Sequence, residues 1–203
     1  MARPKKSERN ADNEIKKLIL ASAEQLFAEK GFSATTTRDI AGEININKNL
    51  IYYYFTNKTG LYRAVIEQNA GPIFETIIKA ISENLSINEL IDVIVDSYFS
   101  VLIKKRDIFP RLIAREQANG GQIISEIISE RITPLLSKLN KYQNQSSKIN
   151  IIQYSMIIGT IIFPFMTSNI WGNVAEITGE KLPTMKELKS QVKNYIKHGV
   201  SND

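Results

Sequence analysis

Apolar residues recur three and four positions apart along nearly the whole chain and seldom alternate, a pattern that predicts helices throughout and almost no strands. A first helix is predicted over residues 11–30, with Ile15, Leu18, Ile19, Ser22, Leu26 and Phe27 on its buried stripe. Gly31 supplies the left-handed residue that ends it, and Phe32 folds back against the helix end. Thr36-Thr37-Arg38-Asp39 reads as a variant capping box that opens a short second helix, ending near Ile44. Asn45 suits a left-handed turn and Asn47 an N-cap, so a third short helix follows over 48–54, with Ile51 and Phe55 facing inward. Two short helices joined by a tight turn and braced by a preceding amphipathic helix form a helix-turn-helix pattern.

Further along, Asn57 can cap a fourth helix, which Gly71-Pro72 is expected to kink or break. Ser86-Ile87-Asn88-Glu89 is a full capping box opening a helix to about Lys104, and Asp107 starts another to about Asn119, before Gly120-Gly121. Ile124, Ile128, Ile132, Leu135 and Leu139 stripe a helix over 122–141, bent at Pro134 and closed by a polar loop at 144–147. The segment from Ile149 to Gly172 is apolar nearly all round, which predicts a fully buried helix kinked at Pro164. Thr184-Met185-Lys186-Glu187 is a third capping box and starts the last helix. The expected fold is all-α: a basic tail over 1–10, a three-helix helix-turn-helix domain over 11–57, and a larger helical domain over 58–203.

Composition narrows the chemistry. Hydrophobic residues at 43% and charged residues at 23% of 203 fit a soluble globular chain. Cysteine is absent, which excludes disulfides, thiolate nucleophiles and Cys-ligated metals. His198 is the single histidine, so no multi-His metal site exists and a Ser-His-Asp triad would depend on that one residue near the C-terminus. With no paired-carboxylate or glycine-rich phosphate motif either, neither an enzyme nor a cofactor or metal is expected. The charged N-terminus is not a signal peptide, and the apolar run from Met156 to Met166 is too short for a bilayer, so a cytoplasmic protein without membrane contact is expected.

The net charge is +5, and residues 1–60 hold ten Lys/Arg against seven Asp/Glu, so the positive excess is concentrated at the front. That balance suits a polyanionic partner. With Ile51 and Phe55 turned inward, the third helix leaves Lys48, Asn49, Leu50, Tyr52, Tyr53 and Tyr54 for its other faces. Phenol hydroxyls reach phosphates, Leu50 suits a thymine methyl, and Lys48 and Asn49 offer hydrogen bonds to base edges. Lys58 stands where a cation and helix amides would grip a phosphate. Arg3, Lys5, Lys6 and Arg9 read either as a solubilising tail or as an arm adding minor-groove contacts.

Gly31-Phe32, Thr35 through Ala41, and Leu50-Ile51-Tyr52-Tyr53-Tyr54-Phe55 with Lys58 and Leu61 resemble, at fixed spacing, the DNA-binding signature of the TetR family of bacterial transcriptional regulators. The resemblance covers about residues 11–62. It implies an all-helical homodimer whose C-terminal domain binds a small ligand. By position it places Thr36 at the cap of the second helix near phosphate, counts Thr37 among the DNA-binding residues and sets Arg38 within reach of a base. It sets Asn47 at the cap, turns Lys48, Asn49, Leu50 and Tyr53 to base edges, and assigns Tyr52, Tyr54 and Lys58 to phosphates. The family pattern usually has Ala-Gly where this chain has Ile44-Asn45, Ser at Asn47, a small residue at Asn49 and often His at Tyr54.

For the larger domain the expected effector contacts are Tyr98, Leu102, Phe109, Phe163, Met166, Asn169 and Trp171, each of which also suits an ordinary core position. Arg111, Arg115 and Glu116 are either polar anchors for the effector or a surface ion-pair group. Helices over about 149–172 and 184–198 are the expected homodimer contacts, with burial inside one subunit as the alternative for the first. The function expected is a sequence-specific DNA-binding regulator, a repressor released from a palindromic double-stranded operator by an unidentified small molecule. The fourth helix would couple effector to operator, with Gly71-Pro72 as its hinge. The alternative is a small-molecule sequestering protein that acts through protein contacts on the same scaffold.

Overall fold

The computed structural model describes residues 6–83, 85–105, 108–142 and 150–200, with side chains at 6–9, 139–142 and 200 left out. The expected polar loop at 144–147, the helix start at Asp107, the side chain of Leu139, the basic residues Arg3 and Lys5, and the side chains of Lys6 and Arg9 lie outside what is described. Ten helices and no strand occur among the described residues. They group into one compact unit of residues 1–68 with 111–124, and a second of 69–110 with 125–203.

In the first unit, α1 (Lys6–Ala34) is interrupted at Gly31, whose φ of 82° and ψ of 168° are open to glycine and strained for other residues. The chain there is extended rather than left-handed helical, and a further helical turn follows before Thr35. The buried stripe of α1 runs through Ile19, Ala23, Leu26 and Phe27, while Leu18, expected on it, is exposed. Leu18 lies one residue, about 100° of helix, off the line through Ile19, Ala23 and Phe27. Phe32 folds back as expected, stacking on Phe27 at 6.0 Å and meeting Tyr62 at 5.1 Å.

The helices α2 (Thr37–Glu43) and α3 (Lys48–Phe55) match their expected caps. Thr36 and Asp39 exchange both bonds of a capping box, and the Asn47 side chain accepts from the Asn49 amide. The turn between them is a Schellman motif: Ile46 N–H donates to the Ala41 carbonyl at 3.0 Å and Asn45 N–H to Gly42 at 3.3 Å, with Asn45 at φ 53°.

α4 (Lys58–Ser82) runs through Pro72 without the break expected there. A proline removes one amide donor, and a helix this long keeps its other backbone bonds. Its earlier residues belong to the first unit and its later ones, from Asn69, to the second. α6 (Phe109–Ala118) is followed by Gly120 and Gly121, both at positive φ, and α7 (Gln122–Tyr142) likewise carries Pro134 within it. Glu116, weighed as a surface ion-pair partner, is instead buried and accepts from the Tyr62 hydroxyl at 3.1 Å. Burial, then the Glu116 charge, raises the Tyr62 pKa well above its ordinary value.

The second unit is organised by α5 (Ile87–Lys104), which packs on α8 (Ile151–Met166) and α10 (Met185–Val200). The capping boxes at Ser86–Glu89 and Thr184–Glu187 form as expected, and Asn150 with Gln153 forms another that the sequence reading missed. The single helix expected over Ile149–Gly172 is instead two: α8 ends at Thr167, and α9 (Ser168–Thr178) departs at 58°. The bend falls at Thr167, whose backbone and hydroxyl both donate to the Phe163 carbonyl, rather than at Pro164. Nor is α8 fully buried. Tyr154, Ile157, Ile161 and Phe165 are covered, whereas Ile152, Met156 and Phe163 stand exposed. Among the described residues no single helix is long and apolar enough to cross a membrane.

Three lysines of α10 tie it to α5. Lys193 lies 2.9 Å from Asp96, Lys189 3.0 Å from Asp96 and Lys197 2.7 Å from Asp92. Burial works against the charged Asp96 carboxyl, yet hydrogen bonds from Lys193 and Lys189 outweigh it and lower its pKa. A carboxyl with a lower pKa folded than unfolded adds stability that is present above its unfolded pKa and lost as pH falls through the folded one. Asp96→Asn is therefore expected to cost about 1 kcal/mol or less at pH 7, as befits a half-exposed pair, with the deficit shrinking on acidification. Urea unfolding of both proteins from pH 7 downward measures it; a deficit constant across that range would remove the pair from the acid response.

Candidate nucleic-acid interface

The second short helix of the turn motif, α3, is held by a buried edge and two phenol bonds. Ile51 and Phe55 are its buried residues. On one flank the Tyr52 hydroxyl lies 3.0 Å from Thr37 Oγ1 of α2. On the other, the Tyr54 hydroxyl donates to Asp12 of α1 at 2.9 Å. Desolvation, reinforced by Asp12, raises the Tyr54 pKa, so this donor stays protonated at neutral pH. The three consecutive tyrosines are thus sorted: Tyr52 and Tyr54 fix the helix through their hydroxyls, and Tyr53, 73% exposed, meets only the edge of the Tyr54 ring at 5.0 Å.

The exit from α3 is equally constrained. Thr56 adopts φ 66° and ψ −50°, and Asn57 N–H donates back to the Phe55 carbonyl at 2.7 Å, which makes a γ-turn with positive φ. A β-branched residue in that region is strained. Asn57 then caps α4 as expected, its side chain accepting from Gly60 N–H at 2.8 Å. Gly60 is required by packing, since a Cβ there would run into the Phe55 carbonyl oxygen.

Lys58 departs from its expected use. Its ammonium donates to the carbonyls of Phe32 at 2.9 Å and Thr35 at 3.0 Å, and lies over the Phe32 ring at 4.3 Å. Here it closes the end of α1 against the start of α4 and completes the carbonyls that the Gly31 interruption leaves without helix partners. Thr35, fully buried, does similar work, donating to the Leu26 and Gly31 carbonyls. Thr36 and Thr37 are engaged locally, in the capping box and with Tyr52. What remains facing outward is Arg38 on α2, Asn47 at the cap, and Lys48, Asn49 and Tyr53 on α3, with Leu50 half-buried beside them. Asp12, Gly60 and the Thr56 turn were missed because each matters through a partner distant in sequence or through a dihedral angle, neither of which leaves a local signature.

The expected effector residues do not converge in the same way. Tyr98, Leu102 and Phe109 are buried, and Tyr98 shares a 3.3 Å hydroxyl contact with Tyr154 of α8. Met166 is half-buried, whereas Phe163, Asn169 and Trp171 are exposed. Arg111 and Arg115 are exposed on α6, in the segment that belongs to the first unit. A cleft of about 280 Å3 in the second unit is lined by Pro72, Ile73, Thr76, Asp96, Ser97, Ser100 and Val101, and so contains none of them.

A short helix seated on two others, with a polar and aromatic outer edge and a basic surround, defines a helix-turn-helix DNA-binding protein. Residues 19–65 match the family described as bacterial regulatory proteins, tetR family. The chain is 28% identical over 188 residues to the biofilm operon icaADBC HTH-type negative transcriptional regulator IcaR of Staphylococcus aureus, covering 90% of this chain and 95% of that one. The Staphylococcus epidermidis regulator of the same name is 29% identical over 128 residues, 63% of this chain and 69% of its own. A TetR family transcription regulator from Marinobacter aquaeolei shares the fold at a TM-score of 0.66 and 17% identity, over 95% of this chain and 98% of that one. Residues 19–65 thus carry the DNA-binding part of the TetR family of bacterial transcriptional regulators, and the chain is similar over most of its length to regulators of transcription.

Proposed function

We propose that this regulator is a cytoplasmic repressor that binds a palindromic operator as a homodimer and leaves it when a small molecule occupies the C-terminal part. The observation that carries the reading is the outward edge of α3, where Lys48, Asn49 and Tyr53 face solvent while Ile51, Tyr52, Tyr54 and Phe55 anchor the helix. The repressor sense follows the printed role of the staphylococcal relatives, negative transcriptional regulators. Residues 11–57 carry DNA binding: Lys48, Asn49, Leu50 and Tyr53 meet base edges, Arg38 reaches a base, and Asn47, Thr36, Thr37, Tyr52 and Tyr54 lie along the backbone. Residues 58–203 carry the effector and the second subunit. Of the expected effector contacts, Tyr98, Leu102 and Phe109 suit an enclosed site, and Phe163 and Trp171 suit the dimer face. α4 belongs to both units and is the proposed coupler, an effector shifting the balance between operator-competent and incompetent states.

Selection from random duplex DNA with the purified protein, followed by titration of the winning sequence at several salt concentrations, tests this. A palindrome is expected, with affinity falling steeply as salt rises. Transcription in vitro from a promoter overlapping that palindrome should drop on adding the protein. Recovery of no motif would instead favour a sequestering protein.

A further inference from the structure

We propose that Asn49, on the outer edge of α3 one turn before Tyr53, reads an adenine in the major groove of each operator half-site. The inference rests on the DNA-binding reading above and adds the base that this position selects.

The geometry comes from the buried edge. At about 100° per residue, with Ile51 as origin, Phe55 lies at about 40°, so the buried direction falls between these two. Tyr53, at about 200°, falls directly opposite that direction, and Asn49, at about 160°, lies within about 40° of it. Tyr52, at about 100°, is bonded to Thr37, and Tyr54, at about 300°, to Asp12, so both flanks are occupied by side chains with structural partners. A helix seated this way presents Asn49 and Tyr53 as its foremost pair.

Asn49 is also chemically available. Its backbone amide is satisfied by the Asn47 side chain at 2.9 Å, so the cap is made by its neighbour and not by its own carboxamide. Among the described residues that carboxamide has no hydrogen-bond partner. A carboxamide offers one donor and one acceptor side by side. Adenine alone presents the matching pair in the major groove, an acceptor at N7 next to a donor at N6. Guanine presents two acceptors, so the carbonyl end of Asn49 would face O6 without a proton between them. Lys48 beside it supplies charge, which favours phosphate or guanine and does not select adenine.

Selection from random duplex DNA with the full chain and with Asn49→Ala tests the proposal, with thermal midpoints confirming that the variant folds. The expected result is a palindrome for both proteins, with preference relaxed in the variant at one position per half-site, that position being adenine. Replacing this adenine with 7-deazaadenine removes the N7 acceptor. The substitution is expected to weaken the parent about 5- to 150-fold and to leave Asn49→Ala without further loss. Identical preferences for both proteins would overturn the proposal, as would relaxation at a base other than adenine or an unchanged parent affinity for the 7-deaza site. Failure of the parent itself to select any motif would remove the regulator reading and this proposal together, a result distinguishable from the other three because it precedes the comparison.

Discussion

Phe27→Ala is expected to lower the unfolding free energy by about 3–5 kcal/mol and to abolish operator binding with it. Phe27 is fully buried in α1, meets Tyr62 of α4 edge-to-face at 4.9 Å and stacks on Phe32 beyond the Gly31 interruption. Removing the ring takes away its transfer free energy and leaves a cavity. Two aromatic contacts, each worth about 0.5–1.5 kcal/mol beyond area, go as well. Its neighbour Tyr62 would lose packing while its hydroxyl still serves the buried Glu116 carboxylate. Urea or thermal unfolding measures the effect, and Tyr53→Ala is the matched control. That exposed ring should change stability by no more than about 0.5 kcal/mol while weakening operator recognition. Comparable losses of stability in the two variants would contradict this division between anchored and outward aromatics.

The second large effect is expected on assembly. Met156→Asp combined with Phe163→Asp should convert the proposed dimer to a monomer and weaken operator binding at least about 30-fold, the scale of one lost interface hot spot of about 2 kcal/mol. On α8, Ile152, Met156, Gly159 and Phe163 fall within about 60° of one another, opposite the buried Tyr154, Ile157, Ile161 and Phe165. Met156 is 65% exposed and Phe163 58% exposed, and a Cβ on Gly159 would have open space around it. On α9, Ile170, Trp171, Val174 and Ile177 are exposed as well. Exposed apolar side chains gathered on these helices suit the proposed contact between subunits. Because both substituted residues already face water, the subunit itself should fold as before. Sedimentation velocity reports the mass directly, and a double variant that stays dimeric would move the interface elsewhere.

The helices around the turn motif were legible because their ends carry local chemistry. Thr36 with Asp39, Asn45 at positive φ, Asn47 as cap and Asn57 ahead of Gly60 are all short-range signals, and each appears where the sequence puts it. Apolar periodicity was a coarser guide. It included Leu18 in a stripe that misses it, and it could not distinguish a face covered by the same chain from one left open, which is why α8 read as fully buried. Pro72, Pro134 and Pro164 each lie inside a continuous helix, since a proline removes a single donor from a helix held by many other bonds. For the site, outward Lys48, Asn49 and Tyr53 followed from knowing which two residues point inward. The partners of Tyr52, Tyr54 and Lys58 did not, because Thr37, Asp12 and the Phe32 and Thr35 carbonyls are brought near by the fold alone.

Almost every residue that orients α3 is distinct from those that face outward on it. Ile51 and Phe55 seat the helix, Tyr52 and Tyr54 tether its flanks, and Thr56 and Gly60 fix its exit through a strained turn and a close backbone approach. Asn49 carries none of that burden, and Tyr53 only an edge-to-face contact with Tyr54 at 5.0 Å. Random change at those two positions would therefore be filtered by what the protein binds and not by whether it folds. Such a scaffold can acquire a new target sequence through one or two exposed substitutions, and duplicated copies can diverge in specificity without first passing through an unstable ancestor.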